Sequence, residues 1–485
     1  MAVSNTKKVI KGVSSQAFVT IVLGLLEIVS FSIMSRLLTQ EDFGYYAAIS
    51  AIVVIFASFS ETGIGSALIQ KKEIDKQYID CAFSISLLFG LAISLALVAS
   101  SGLLSKTVVD EKIAKPLMFM SVVLLANCLS SINISILQRN LRFLTVGLVH
   151  IIASIVSTLV AIVMALKGFG FYSIVAKSIV SALLVLVVSY FLAGNKYSFH
   201  LDKNNFKSIF GFSGWLMASV VFRNISKQAD KIVMPRLLSV TALGEYNRPK
   251  EFLDQISVKV NGIFDTALFP VLSSIQDDKE ELAKSYKRYL YYLNIIATLL
   301  ALGIAFNARI ILVVFFGNDW VYLTGLMMVL SVAVLFNADG RLADCFLRSL
   351  AMTKQQFIFR VIEAITKIIA VFIGSKWGLF GVATAVVISE SMMRLIKVTY
   401  VSYKLSINTS SVFLTILKSW RFCVVLIPIC LLSIWLFPDS IIFDIVRLVL
   451  FCLIVLVEFL VLPGLVGEMY KSDVYSTIRQ KVFGK

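Results

Sequence analysis

Long apolar blocks separated by a few polar residues run along almost the whole chain. A helix crossing a hydrocarbon core about 30 Å thick needs about 20 predominantly apolar residues. Fourteen blocks reach or approach that length: 13–38, 44–69, 79–104, 114–136, 144–166, 171–193, 209–234, 252–274, 289–316, 321–350, 357–375, 379–403, 421–437 and 441–466. A helix satisfies its own backbone hydrogen bonds in lipid, so the pattern predicts an all-α polytopic membrane protein with about fourteen transmembrane helices. Block 13–38 is too long for a signal-peptide core and contains Glu27 and Arg36. It is expected to remain as an uncleaved first helix.

The polar segments between blocks set the expected orientation, because cytoplasmic loops carry the excess of Lys and Arg. With the N-terminus inside, the inner segments hold 24 Lys/Arg and the outer segments 8. Both termini are therefore expected in the cytoplasm, and the protein in the cell (inner or plasma) membrane. The longest outer segment on this reading, 235–251, has 17 residues, too few for a soluble domain. That argues against a membrane polymerase or ligase, whose active site usually needs a large extramembrane domain.

Composition agrees with the pattern. AVILMFWYC make up 58% of the 485 residues and charged residues only 15%, with a mean hydropathy of +0.89. A soluble domain averages about 25% charged, so the polar residues here are too few to cover a globule. The net charge of +16 lies in short clusters between apolar blocks, the distribution of membrane topology and not of a nucleic-acid face. No nucleic-acid partner is expected. The six cysteines all fall in apolar blocks without C-x-x-C spacing, and only two histidines exist, so buried packing is expected and no metal or other cofactor. A phosphate loop of the form G-x-x-x-x-G-K-[ST] is absent, which excludes ATP hydrolysis by that route.

The chain also repeats itself. Residues 33–46 and 233–246 share Met34/Met234, Arg36/Arg236, Leu37/Leu237, Leu38/Leu238, Gly44/Gly244 and Tyr46/Tyr246 without a gap. Six blocks separate the copies, an even number, so both halves are expected to cross the membrane in the same direction. Parallel repeats of this kind build transporters from two similar bundles that rock about a substrate path. The expected organisation is an N-terminal six-helix bundle over 1–193, a cytoplasmic linker over 194–208 and a C-terminal six-helix bundle over 209–403. Helices 13 and 14 follow over 404–466, then a cytoplasmic tail over 467–485.

On these residues the chain resembles a known family. The run Ser60-Glu-Thr-Gly-Ile-Gly-Ser-Ala-Leu-Ile-Gln70, the loop Gln138-Arg-Asn-Leu-Arg-Phe143, Asp230-Lys-Ile-Val-Met-Pro-Arg-Leu-Leu238 and Leu268-Phe-Pro-Val-Leu-Ser-Ser-Ile-Gln276 are similar to the polysaccharide-transporter (Wzx-type) flippases of the multidrug/oligosaccharidyl-lipid/polysaccharide superfamily. The resemblance covers roughly 10–405. Pro235 departs from it, standing where a glycine is common. It implies transfer of undecaprenyl-pyrophosphate-linked oligosaccharide units from the cytoplasmic to the outer leaflet by alternating access, with no enzymatic step. Membrane lipids and the polysaccharide polymerase and chain-length regulator are its expected partners. A multidrug or small-solute antiporter of the same superfamily is the alternative, with the helix pair 13–14 favouring the flippase.

Ionisable residues inside the blocks supply the candidate site. Such groups cost at least about 2.5–3.5 kcal/mol on insertion scales and usually face a bundle interior or a wet cavity. Arg223, Lys227 and Lys231 recur every four residues in one block. Arg341, Asp344 and Arg348 share a face of another, as do Arg360, Glu363 and Lys367, and Glu390, Arg394 and Lys397. Arg223, Lys227, Lys231, Arg341, Arg348 and Arg394 are expected to bind the pyrophosphate and sugars in a cationic cavity. The alternative is that each cation pairs with a neighbouring acid, such as Lys227 with Asp230 or Arg394 with Glu390. Glu27 and Glu61 read as isolated acids, and with Asp230 they are the candidates for coupling to a proton or Na⁺.

Overall fold

The structure is a computed structural model and describes residues 2–60, 64–71, 73–202, 214–275, 278–350, 352–436 and 440–461. Among these residues the regular elements are all helical. The α-helices are α1 (Ala2–Leu37), α2 (Gln40–Ser60), α3 (Ile64–Gln70), α4 (Lys76–Val108), α5 (Ala114–Arg139), α6 (Phe143–Leu166) and α7 (Tyr172–Ala193). They continue as α8 (Gly214–Leu237), α9 (Val240–Ser274), α10 (Lys279–Phe306), α11 (Ala308–Phe315), α12 (Thr324–Ser349), α13 (Thr353–Gly374), α14 (Gly378–Lys404), α15 (Thr409–Ser419), α16 (Arg421–Leu436) and α17 (Ile441–Val461). Each of the fourteen apolar blocks overlaps at least one of these helices. Among the described residues, eight helical stretches are long and apolar enough to cross a bilayer by length and composition.

Several helices depart from the hydropathy pattern. Block 44–69 holds two helices, α2 and α3. Block 289–316 is divided at Asn307, whose side-chain amide donates back to the Gly303 carbonyl at 2.8 Å and ends α10. α15 lies in a segment expected to be a loop, started by Asn408, whose side chain accepts from Ser410 N at 3.0 Å. The largest departure is α9, which begins at Val240, twelve residues before its block. Much of the expected outer segment 235–251 is thus helix. Of the cysteines, Cys423 is half-buried and Cys452 exposed, while the other four are buried as expected.

The chain divides into two compact units. The first takes Met1–Phe252, Val314–Asp319 and Met352–Ser389; the second takes Leu253–Val313, Trp320–Ala351 and Glu390–Lys485.

In the first unit, the two copies of the repeat are built alike. Each opens its second helix with a hydroxyl cap. Thr39 Oγ1 accepts from Asp42 N at 3.2 Å while Asp42 Oδ2 accepts from Thr39 N at 3.0 Å, and Ser239 Oγ accepts from Ala242 N at 3.0 Å. The copies also meet reciprocally. A Cβ on Gly44 would lie 1.9 Å from the Val240 carbonyl oxygen, and one on Gly244 would lie 1.8 Å from the Gln40 carbonyl oxygen. Residues 44 and 240 stand to each other as 244 and 40 do, the signature of a two-fold relation. Arginine contacts follow the same exchange. Arg36 Nη2 donates to the Val314 carbonyl at 2.7 Å, near the end of α11, and Arg236 Nε donates to the Thr107 carbonyl at 3.2 Å, near the end of α4. Both cations thus satisfy carbonyls left open at a helix C-terminus. α8 runs through Pro235 and ends at Leu237, so the departure from the family pattern leaves the helix end in place.

Away from the repeat, a cluster of Ile64, Leu68, Tyr78, Cys81, Ile85, Ile132 and Ile136 packs α3, α4 and α5 together. The described part of the linker, 194–202, is tied to this end. Asp80 is 4% exposed and accepts from Ser198 N at 3.1 Å and from Ser198 Oγ, and Ser84 Oγ accepts from His200 N at 2.8 Å. Tyr197 stacks on Phe83 and donates to Asn133 Oδ1. Burial pushes its phenol up to about 12. Residues 203–208 and 467–485 lie outside the described residues.

In the second unit, α10 packs against α12 and α15, and α16 against α17. Tyr291, Ile295 and Leu426 form a core with Phe451, Ile454 and Val455. Asp444, 3% exposed, accepts from both Arg309 of α11 and Arg447 of α17, the latter at 3.1 Å.

Candidate functional site

In the first unit α8 carries Arg223, Lys227 and Lys231 together with one acid, Asp230. Arg223 and Lys231 are half-buried and Lys227, between them, is exposed. Asp230 has no exposed surface. Its partner is not Lys227, as the local-pair alternative had it. Lys250 of α9 pairs with Asp230 Oδ2 at 2.5 Å, and Tyr246 donates its hydroxyl to the same oxygen at 3.0 Å. Lys250 also donates to Tyr246 Oη at 3.0 Å. Lys231 and Lys367 lie within electrostatic range of this carboxylate. One buried acid therefore pairs with Lys250 of α9 and has one cation each of α8 and α13 within electrostatic range.

A second cation of α9 is fixed against α1. Arg248 is 8% exposed, with its guanidinium carbon 3.4 Å from the centre of the Phe31 ring and 4.2 Å from that of Phe43. It donates to the Phe31 carbonyl at 3.0 Å, to Ser35 Oγ at 3.1 Å and to Glu251 Oε2 at 3.3 Å. Ring faces carry negative charge density, so this arrangement suits a planar, weakly hydrated cation. Close by in charge, Lys177 of α7 donates to Ser30 Oγ and lies within electrostatic range of Glu27, Glu251 and Arg248. Glu27 is exposed on α1, and its reach to Lys177 means that it is not the isolated acid expected from sequence. Glu61 lies outside the described residues. On α13, Arg360 pairs with Glu363 at 3.0 Å, the local arrangement.

The second unit holds Arg341, Arg348 and Arg394. Arg341 is half-buried and Arg348 exposed. Arg394 pairs with Glu390 at 2.9 Å, as the local alternative describes, and also donates to the Ala333 carbonyl at 2.8 Å. Its stem runs against Gly340, where a Cβ would lie 2.8 Å from Arg394 Cγ. Lys397, 2% exposed, pairs with Asp344 at 3.4 Å. The six cations expected at the site thus divide three and three between the units.

Sequence reading missed Lys250, Arg248 and Lys177. Lys250 and Tyr246 stand four residues apart, a helical spacing hidden by treating 235–251 as loop. Arg248 has a sequence signal too, since the repeat places it opposite Ala48. A cation in one copy against a small apolar residue in the other marks a position with a separate task.

Similar proteins agree with this architecture. The Lipopolysaccharide biosynthesis protein WzxC of Escherichia coli (strain K12) is 23% identical over 374 residues, 76% of each chain. The Succinoglycan biosynthesis transport protein ExoT of Rhizobium meliloti (strain 1021) is 23% identical over 355 residues, 72% of this chain and 71% of that one. In three dimensions, the Lipid II flippase MurJ in its inward closed conformation superposes with a TM-score of 0.71 at 18% identity, covering 91% of this chain and 97% of that one. At that identity the likeness establishes the fold. The family pattern described as "Polysaccharide biosynthesis protein" matches residues 33–324, more than half of the chain, and the protein belongs to that family.

Proposed function

We propose that the chain is a flippase that carries an undecaprenyl-pyrophosphate-linked oligosaccharide unit from the cytoplasmic to the outer leaflet during surface polysaccharide assembly. It is a transporter and not an enzyme. The observation that carries this reading is the excess of cations inside apolar helices of the first unit. Lys231, Lys250 and Lys367 lie around the buried carboxylate of Asp230, and Arg223 and Lys227 precede Lys231 along α8. Cations at such depth are costly unless anions or water meet them. A pyrophosphate supplies several acceptor oxygens and at least two negative charges, and charge-assisted hydrogen bonds to it are the strong ones. In this account Arg223 and Lys227 hold the phosphates, with Lys231, Arg341, Arg348 and Arg394 as further contacts. Asp230 keeps the α8 stripe from binding them irreversibly, while Asp230, Glu27 and Glu61 remain candidates for ion coupling.

The cytoplasmic placement of both termini, the inner membrane, the fourteen spans and the division into bundles 1–193 and 209–403 belong to the same proposal. The polymerase and chain-length regulator would take over the product outside. The family membership, the names of the relatives and the two-fold exchange at Gly44 and Gly244 support a two-bundle transporter. Deleting the gene should trap a lipid-linked oligosaccharide on the inner leaflet, where an impermeant sugar-modifying enzyme reaches it only from the cytoplasmic side. Accumulation on the outer leaflet would place the defect after translocation and refute the proposal.

A further inference from the structure

The helix that hydropathy alone does not predict, α15, is apolar on two sides. It packs on α10 and buries Val412 and Ile416. Elsewhere on its surface Phe413, Leu414 and Leu417 are 37%, 55% and 57% exposed. Their spacing of one and four residues places them on one stripe of the helix. An eleven-residue helix with three large apolar side chains left open needs a cover.

The bend that leads into α15 is fixed and not a loose tether. Ile407 N donates to the Ser402 carbonyl at 2.9 Å, and Leu405 and Ile407 are buried. Ser406 takes a φ of 55°, a left-handed conformation that few residues other than glycine adopt. On the topology proposed above, α14 ends and α16 begins at the same cytoplasmic surface. At 1.5 Å per residue α15 is about 16 Å long, too short to cross the bilayer, so it runs along that surface.

Both ends of α15 carry residues suited to a lipid head-group layer. Before it, Tyr403 is exposed, and Lys404 Nζ stands 5.7 and 5.8 Å from the ring centres of Tyr400 and Tyr403. In and after its last turn come Lys418, exposed, and Trp420, half-buried. Tyrosine and tryptophan favour the interface, and a lysine there keeps its stem among apolar groups and its ammonium among head groups. The sequence contains no Asp or Glu between Glu390 and Asp439, so this stretch presents positive charge alone. The cytoplasmic leaflet carries anionic lipids and a negative surface potential, the complement of that charge.

We infer that α15 is a docking surface for anionic phospholipid of the cytoplasmic leaflet. Phe413, Leu414 and Leu417 enter the boundary between head groups and acyl chains, and Lys404 and Lys418 meet the lipid phosphates. The inference rests on the proposed orientation and not on the cargo. Because α15 packs on α10, lipid bound there holds the second unit together and stabilises the folded protein.

Three measurements on the full chain in liposomes test the surface. A nitroxide attached at Leu414→Cys, with the native cysteines replaced, should be relaxed by oxygen and shielded from a water-soluble nickel chelate. Relaxation by nickel as strong as in water, or shielding from both reagents that grows with protein concentration, would overturn the inference in favour of an aqueous surface or a protein partner. In the protein with its native cysteines, adding phosphatidylglycerol to phosphatidylcholine should raise the thermal unfolding midpoint, and inorganic phosphate should not. Lys404→Gln/Lys418→Gln should need at least about fivefold more phosphatidylglycerol for the same rise, since each lysine near the surface adds about fivefold to anionic-lipid binding. An equal response in the double variant, or an equal effect of inorganic phosphate, would overturn the lipid assignment. An impermeant thiol reagent on Ser410→Cys tests the orientation separately. Reaction from the cytoplasmic side is expected, and reaction only from outside would contradict the topology.

Discussion

Alanine at Gly44 or Gly244 should abolish export while the protein still reaches the membrane. Each glycine lies against a backbone carbonyl of the other repeat copy, at distances of 1.9 and 1.8 Å from where a Cβ would stand. A backbone atom cannot rotate aside as a side-chain tip can. The added methyl therefore has to push the start of α2 away from the start of α9. Overpacking of this kind costs about 1–3 kcal/mol. Converted to a population, that moves the balance between closed and open ends by about 5- to 150-fold. Local helix preference acts in the opposite sense, because glycine inside a helix is about 0.5–1 kcal/mol worse than alanine. The two contributions make the experiment decisive. Cysteines placed at Arg36 and Arg236 should react faster with an impermeant thiol reagent in the alanine variants. Normal export and unchanged reactivity, with greater thermal stability, would mean that the seam is not a working contact.

Asp230→Ala should be the most destabilising single change in the first unit, by about 3–5 kcal/mol, the range for removing one partner of a buried ion pair. Asp230 is fully buried and Lys250 only 14% exposed by side chain, so neither is well hydrated. Tyr246 loses its acceptor in the same change, and the cationic groups of Lys231 and Lys367 lose a nearby opposing charge. Replacing the pair together, as Asp230→Leu with Lys250→Met, should recover much of the stability, since apolar residues of similar volume often substitute for a buried pair without loss. Thermal unfolding of the single and double variants gives the comparison. A single variant within about 1 kcal/mol of the unaltered protein would show that the pair contributes little.

The helices were legible in the sequence where apolarity and length coincide, as in α4 through α7. They were not legible at the start of α9. Glu245, Arg248, Lys250 and Glu251 look like a loop to any hydropathy average, yet Arg248 and Lys250 find partners on α1 and α8. Those partners lie 217 and 20 residues away in sequence, so no local pattern announces them. The same reason hides the reach of Lys177 to Glu27, which is tertiary. By contrast, the repeat could be read directly, because its glycines, arginines and caps are local features at a constant offset of 200. The stripe Arg223, Lys227 and Lys231 was likewise legible from its spacing. What the spacing did not reveal is which cation Asp230 holds, since the answer comes from the next helix.

Transport by the purified protein tests the central claim most directly. Reconstituted into liposomes containing a fluorescent undecaprenyl-pyrophosphate oligosaccharide, the unaltered protein should move the sugar between leaflets, as followed by an impermeant quencher. Hydrogen bonds to charged groups are worth about 1.5–3 kcal/mol, so the Arg223→Ala/Lys227→Ala double variant should be slowed at least about tenfold while remaining folded. Equal rates for the double variant and the unaltered protein would contradict the assignment of these cations to the pyrophosphate, and absence of any protein-dependent movement would contradict the flippase itself.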